Sequence, residues 1–239
     1  MAGDRIELGG LSVEVVRKRI KNIHLSVYPP NGRVRISAPT WVGLDAIRLF
    51  AISKLGWIRR QQQKLKEQER EAPREYLDRE SHQVWGRRVL LQIEHDGNGP
   101  PVEWLPGRLI LRLRPDATIE RKRTVLDEWY REQIKAAAPE LIAKWERALG
   151  VSVAGFFVQK MKTLWGSCNV RRHTVRLNTE LAKKPPECLE YIVVHELVHL
   201  LERSHGPRFV ALMDQHLPKW RYFKAELNRL PIRHEDWMY

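Results

Sequence analysis

Cysteine is nearly absent. The 239-residue chain holds only Cys168 and Cys188, which excludes a disulfide-stapled scaffold. No run of about 18 apolar residues occurs, so a helical membrane span is excluded as well. The opening "MAGDRIELGGLSVEVV" lacks a basic stretch leading into an apolar one. No secretory signal is read from it, and a cytoplasmic protein without membrane attachment is expected. Negative charge is also short: 29 acidic residues face 42 basic ones, a net charge of +13. That balance points to nucleic acid or another polyanion as a partner through a basic surface. No helix-turn-helix or zinc-finger spacing accompanies the charge, and no repeat of solenoid length is present. Hydrophobic residues reach 43%, enough to build a core and to exclude a wholly disordered chain.

The apolar pattern then divides the chain. Over residues 5–40, "LSVEVVRKR", "IHLSVYPP" and "GRVRISAP" place apolar residues at every second position, as in a small antiparallel sheet. "VGLDAIRLFAISKLGWIRRQQQKLKEQER" follows with helical spacing, aligning Ile47, Phe50, Leu55 and Ile58. Its charged continuation through Glu71 reads as a solvated face and linker. Strand patterning returns in "RRVLLQIEHDGNG", "PVEWLP" and "GRLILRLRP". From Ile119 a long amphipathic helix, bent near Pro139, is predicted to end at Gly150. Two strands, "VAGFFVQKM" and "HTVRLN", come next, then a helix from near Glu187 and two shorter helices. The expected class is α+β: a β-rich region with an inserted helix over 1–115, then a second domain of mixed helices and strands over 116–239.

The chemistry concentrates in "VVHELVHLLERSHGPRF", residues 193–209. His195 and His199 are four apart, so on a helix their imidazoles share one face. Neutral imidazoles suit zinc. Glu196 stands beside the first of them and can take a proton from water without binding the metal. The valines and leucines around them bury and fix the helix, as a preorganised site requires. A catalytic zinc takes three protein ligands. His205 is the best third, because Ser204, Gly206 and Pro207 can turn the chain back on itself. Glu202 and Glu226 are the rival ligands. The His195–His205 spacing equals that of the extended H-E-x-x-H-x-x-G-x-x-H motif. Glu202 stands where that motif has glycine, so the chain must reverse differently.

These residues resemble the YgjP-like metal-dependent hydrolases, zincin-type metallopeptidases, and are more distantly similar to SprT-like proteases. "WGSC" at 165–168, "VRLN" at 175–178 and "YIVVHELVHLLERSHGPRF" at 191–209 carry the resemblance, with "LGWIRRQQ" and "WYREQI" earlier. It implies a zincin-like catalytic domain with zinc on His195, His199 and His205, and Glu196 as catalytic base. It also implies that Trp165, Gly166, Ser167 and Cys168 lie at the cleft. Cys168 could serve as a zinc thiolate, though a small buried residue in a tight turn is the simpler expectation.

The leading expectation is therefore a zinc metallopeptidase acting on proteins or peptides, with DNA-associated proteins as an extension of the basic charge. "TVRLN" is expected to pair with extended substrate. Two alternatives remain at this stage: a nucleic-acid-binding protein with a structural zinc, and a zinc hydrolase of a non-peptide amide. Oligomeric state leaves no trace in the sequence.

Overall fold

A computed structural model describes residues 4–28, 32–67, 74–95, 98–161 and 164–229. Two compact units emerge, Met1–Pro73 with Arg229–Tyr239, and Arg74–Asn228. Among the described residues no helix is long and apolar enough to cross a membrane.

The first unit holds β1 (Asp4–Leu8), β2 (Leu11–Lys18), β3 (His24–Tyr28) and β4 (Arg33–Pro39) in the order β1-β2-β4-β3. The outer pairs are antiparallel, and β2 runs parallel to β4. Register sets Val13 against Val34 and Val15 against Ile36. All four are buried together with Ile47, Ala51 and Ile58 of the helices that follow. Each such side chain contributes about 1.5–3 kcal/mol of apolar burial. Where one helix was expected there are two, α1 (Leu44–Ser53) and α2 (Leu55–Glu67). At the break the Lys54 N–H donates to Ala51 O, and the Ser53 hydroxyl donates to Phe50 O at 2.7 Å. Serine bonded in this way competes with the helical ladder. The far end of the expected linker, residues 68–71, lies outside the described residues.

The second unit opens with β5 (Ser81–Val84), β6 (Arg87–Glu94), β7 (Val102–Leu105) and β8 (Arg108–Arg112), in the order β5-β6-β8-β7. The sequence of antiparallel, parallel and antiparallel pairings repeats that of the first sheet. The boundary expected after residue 115 falls inside this unit. Val84, Val89, Leu91, Leu109 and Leu111 share one core with the helices that follow, so contacts tie this second sheet forward.

Helix α3 (Ile119–Leu149) has the predicted bounds, with Pro139 inside it. Thr118 Oγ accepts the Arg121 N–H at 3.2 Å, and Gly150 ends the helix with φ 66°, where glycine is unstrained. Leu126, Tyr130, Ile134, Ala138 and Ile142 form its buried stripe. A three-stranded sheet follows, of β9 (Gly155–Gln159), β10 (Gly166–Asn169) and β11 (Thr174–Asn178), in the order β10-β11-β9. β11 is central, antiparallel to β10 and parallel to β9. "TVRLN" therefore has both edges occupied and cannot receive a peptide strand; β10 is an outer strand. A 3₁₀ turn (Thr179–Lys183) leads to α4 (Pro186–Val198), then α5 (Pro207–His216) and α6 (Trp220–Arg229). Pro186 occupies the first turn of α4, where its missing N–H is not needed. The β5–β6 turn braces this helix start: Trp85 and Gly86 N–H donate to the Ala182 and Lys183 carbonyls at 2.8 and 3.2 Å.

Candidate metal centre

The α4 sequence "CLEYIVVHELV" is apolar on almost every face, and nine of its residues are buried, Glu196 among them. Such a helix holds its side chains rigidly. His195 lies in its last turn, and His199 caps its C-terminus with helical φ −64°. Beyond it the Leu200 and Leu201 N–H groups bond three residues back, and the chain turns through 202–206. Gly206 then takes an extended conformation, and Pro207 starts α5. This reversal carries His205 back over the helix.

The three imidazoles meet. Their ligand nitrogens all lie within 4.8 Å of one another. The Nε2 atoms of His195 and His205 are 3.1 Å apart, although at most one of them can carry a proton towards the other. Two nitrogens on one tetrahedral zinc, each bonded at about 2.0–2.1 Å, stand about 3.4 Å apart. His199 Nδ1 lies 3.1 Å from the Glu202 carbonyl, which can only accept, so this nitrogen donates and Nε2 is left as a lone pair. The donor set fits a metal ion. Phe209 forms the floor, its ring centroid 4.7–4.9 Å from all three imidazoles.

Burial, then the neighbouring His199 and His205 rings, depresses His195 to about 3, and burial lowers His199 too. Both are neutral rings at physiological pH, the form a metal takes up. Burial pushes Glu196 up to about 8, and its residue is only 5% exposed. Desolvation of this kind raises a carboxylate's appetite for a proton.

Neither rival carboxylate joins the cluster among the described residues. Glu202 turns away to accept the Ser204 N–H and hydroxyl at 3.0 and 2.9 Å. Cys168 stands outside the cluster too. Burial, with the Glu196 charge adding to it, raises its thiol to about 11, so it remains protonated at neutral pH.

The "WGSC" segment passes directly beside the helix. A β-carbon on Gly166 would meet Ile192 Cγ2 at 2.7 Å and Glu196 Oε1 at 2.8 Å. Only glycine allows β10 this close to α4. Trp165 is half-buried, with the Lys184 ammonium 5.7 Å above its ring. Ser167 faces the side of the sheet opposite Gly166. Sequence reasoning quoted two further residues without giving them work. Asn178 closes "VRLN", is buried, and donates to the Met161 and Leu164 carbonyls, each at 2.8 Å. Its Oδ1 accepts the Glu180 N–H at 3.1 Å. One amide thus ties the Met161 and Leu164 carbonyls to the end of β11. Phe209 is the other, and its signal was an aromatic residue one helical turn after His205.

Among curated proteins no sequence matches this chain. The solved metallopeptidase zymogen abylysin of Pyrococcus abyssi is 19% identical with a TM-score of 0.34, covering 39% of this chain and 97% of that one. The zymogen jannalysin of Methanocaldococcus jannaschii is 21% identical with a TM-score of 0.33, covering 37% and 90%. Residues 21–230 match the YgjP-like metallopeptidase domain. The chain belongs to the YgjP-like metallopeptidase family and is a metal-dependent peptidase.

Proposed function

We propose that the chain is a zincin-like zinc peptidase in which His195, His199 and His205 hold the metal and Glu196 is the general base. The convergence of three imidazoles within 4.8 Å beside a buried carboxylate carries this reading. Zinc, when bound, supplies Lewis acidity that polarises a carbonyl and acidifies water. Glu196 takes the proton of the attacking water on its carboxylate and returns it to the nitrogen of the leaving amine. Its position on a rigid helix turn, packed against Gly166, holds the carboxylate at the reacting centre. Trp165, Gly166 and Cys168 form the strand side of the cleft, with Ser167 on the face turned away from it. The His205 loop forms the other side.

Three nitrogen ligands leave a fourth position open, which favours a catalytic zinc over a structural one. The net charge of +13 supports DNA-associated proteins as substrates. The test is Glu196→Gln. Zinc stoichiometry should equal the parent's while peptide hydrolysis drops by about 10²-fold or more. A variant that cleaves as fast as the parent removes Glu196 from the mechanism. DNA that neither binds in a salt-dependent way nor alters proteolysis removes the DNA extension.

A further inference from the structure

Three arginines surround one cavity beside the strand that packs against Glu196. Arg171 and Arg176 come from the β10–β11 hairpin, and Arg203 comes from the turn that carries His205. The cavity has a volume of about 450 Å³ and is otherwise lined in part by Ser167, Asn169 and Thr174. All three arginines are exposed, and none makes an ion pair with a carboxylate among the described residues. Unpaired guanidiniums converging on one space create a strong attraction for an anion.

The hairpin is held firmly. Asn169 Oδ1 accepts the Arg171 and Arg172 N–H groups at 3.2 and 3.1 Å. His173, with φ 51°, bonds through Nδ1 to the Ser152 carbonyl at 3.0 Å. Register sets Ser167 opposite Arg176 and Asn169 opposite Thr174, so the four share one sheet face. Each guanidinium is itself a planar fork of donors that matches a carboxylate in a bidentate way.

We propose that this cavity is a specificity subsite that takes an acidic side chain of the peptide substrate. The proposal rests on the peptidase function above. At a rise of about 3.3 Å per residue, Ser167 to Asn169 lie about one to three residues along β10 from Gly166 and the Glu196 carboxylate. An extended substrate paired along β10, an outer strand, would turn alternate side chains to the face away from Glu196, where Ser167, Asn169 and Arg176 line the cavity. None of the lining residues is aromatic, whereas single-stranded nucleic acid is held by bases stacked on aromatic rings.

The experiment profiles the zinc-loaded full chain against peptides that differ only in an acidic, neutral or basic residue at each position around the cleaved bond. Acidic residues at one position should raise kcat/KM by about tenfold. Arg176→Glu and Arg203→Glu should each move the preference at that position from acidic to basic, with melting temperatures recorded to show that both variants fold. Equal rates for acidic and neutral peptides in the parent overturn the subsite and leave the peptidase function standing. An acidic preference that survives both reversals also overturns it. A parent that cleaves no peptide removes the peptidase function and the subsite together. Loss of binding to a single-stranded oligonucleotide in both variants, with peptide preference unmoved, assigns the arginines to nucleic acid and overturns the proposal.

Discussion

Glu196 Oε1 lies 2.8 Å from the point a β-carbon on residue 166 would occupy. Strand β10 and helix α4 touch there because residue 166 has no side chain. The glycine sets the position of the proposed general base.

Gly166→Ala is therefore expected to push Glu196 and Ile192 aside. Overpacking of a dense core costs about 1–3 kcal/mol. Because the contact is with the carboxylate itself, kcat should fall more than the stability loss explains, while zinc stoichiometry holds. Steady-state kinetics with metal analysis on the folded variant checks this. Unchanged kcat would detach the glycine from the mechanism.

Phe209 touches all three imidazoles from below. Phe209→Ala should destabilise the fold by about 3–5 kcal/mol, as for other buried phenylalanines, and should weaken zinc binding. Phe209→Leu should recover most of the stability. Denaturant unfolding and competitive zinc titration of both variants separate the packing role from the support of the site.

Asn178→Ala removes a buried amide that serves two carbonyls and the Glu180 N–H. Leaving such groups unsatisfied costs about 1–3 kcal/mol each. The variant should unfold at lower denaturant than the parent, as followed by circular dichroism. Asn178→Asp keeps the acceptor but sets a carboxylate oxygen against the two carbonyls, so it should be no milder than the alanine change.

Arg221 and the Trp220 indole N–H hold the Asp214 carboxyl below its ordinary range. A depressed carboxylate stabilises the fold above its unfolded pKa of about 3.9, and that stability is lost as pH falls through the folded value. Asp214→Asn should thus melt earlier than the parent at pH 7, and the gap between the two curves should narrow as pH falls below about 3.9. A constant gap across this range would contradict the linkage.

Much of this was legible from residue order. The spacing in "HELVH" placed two imidazoles on one face, and "SHGPRF" announced the turn that returns His205, because proline and glycine leave few backbone choices. The helix from Ile119 to Gly150 followed from its cap residues and periodicity. What stayed hidden depends on pairing and packing partners that the local pattern does not display. "GSCN" has no alternating pattern, and it becomes a strand only because Gly166–Asn169 pairs with Thr174–Leu177. The unit boundary was masked for the same reason: strand patterning cannot tell which core a sheet will join, and the second sheet packs with α3 and α4. Phe209 and Asn178 resemble ordinary core and turn residues until the fold brings them to the site.

The central claim is that His195, His199 and His205 hold one metal ion. Zinc titration against a competing chelator, on the parent and on His195→Ala, His199→Ala and His205→Ala, tests it most directly. One zinc per chain is predicted for the parent, with a loss of affinity of about 10-fold or more in each variant. A His205→Ala variant that binds zinc as tightly as the parent would contradict the account, because the third ligand would then lie elsewhere.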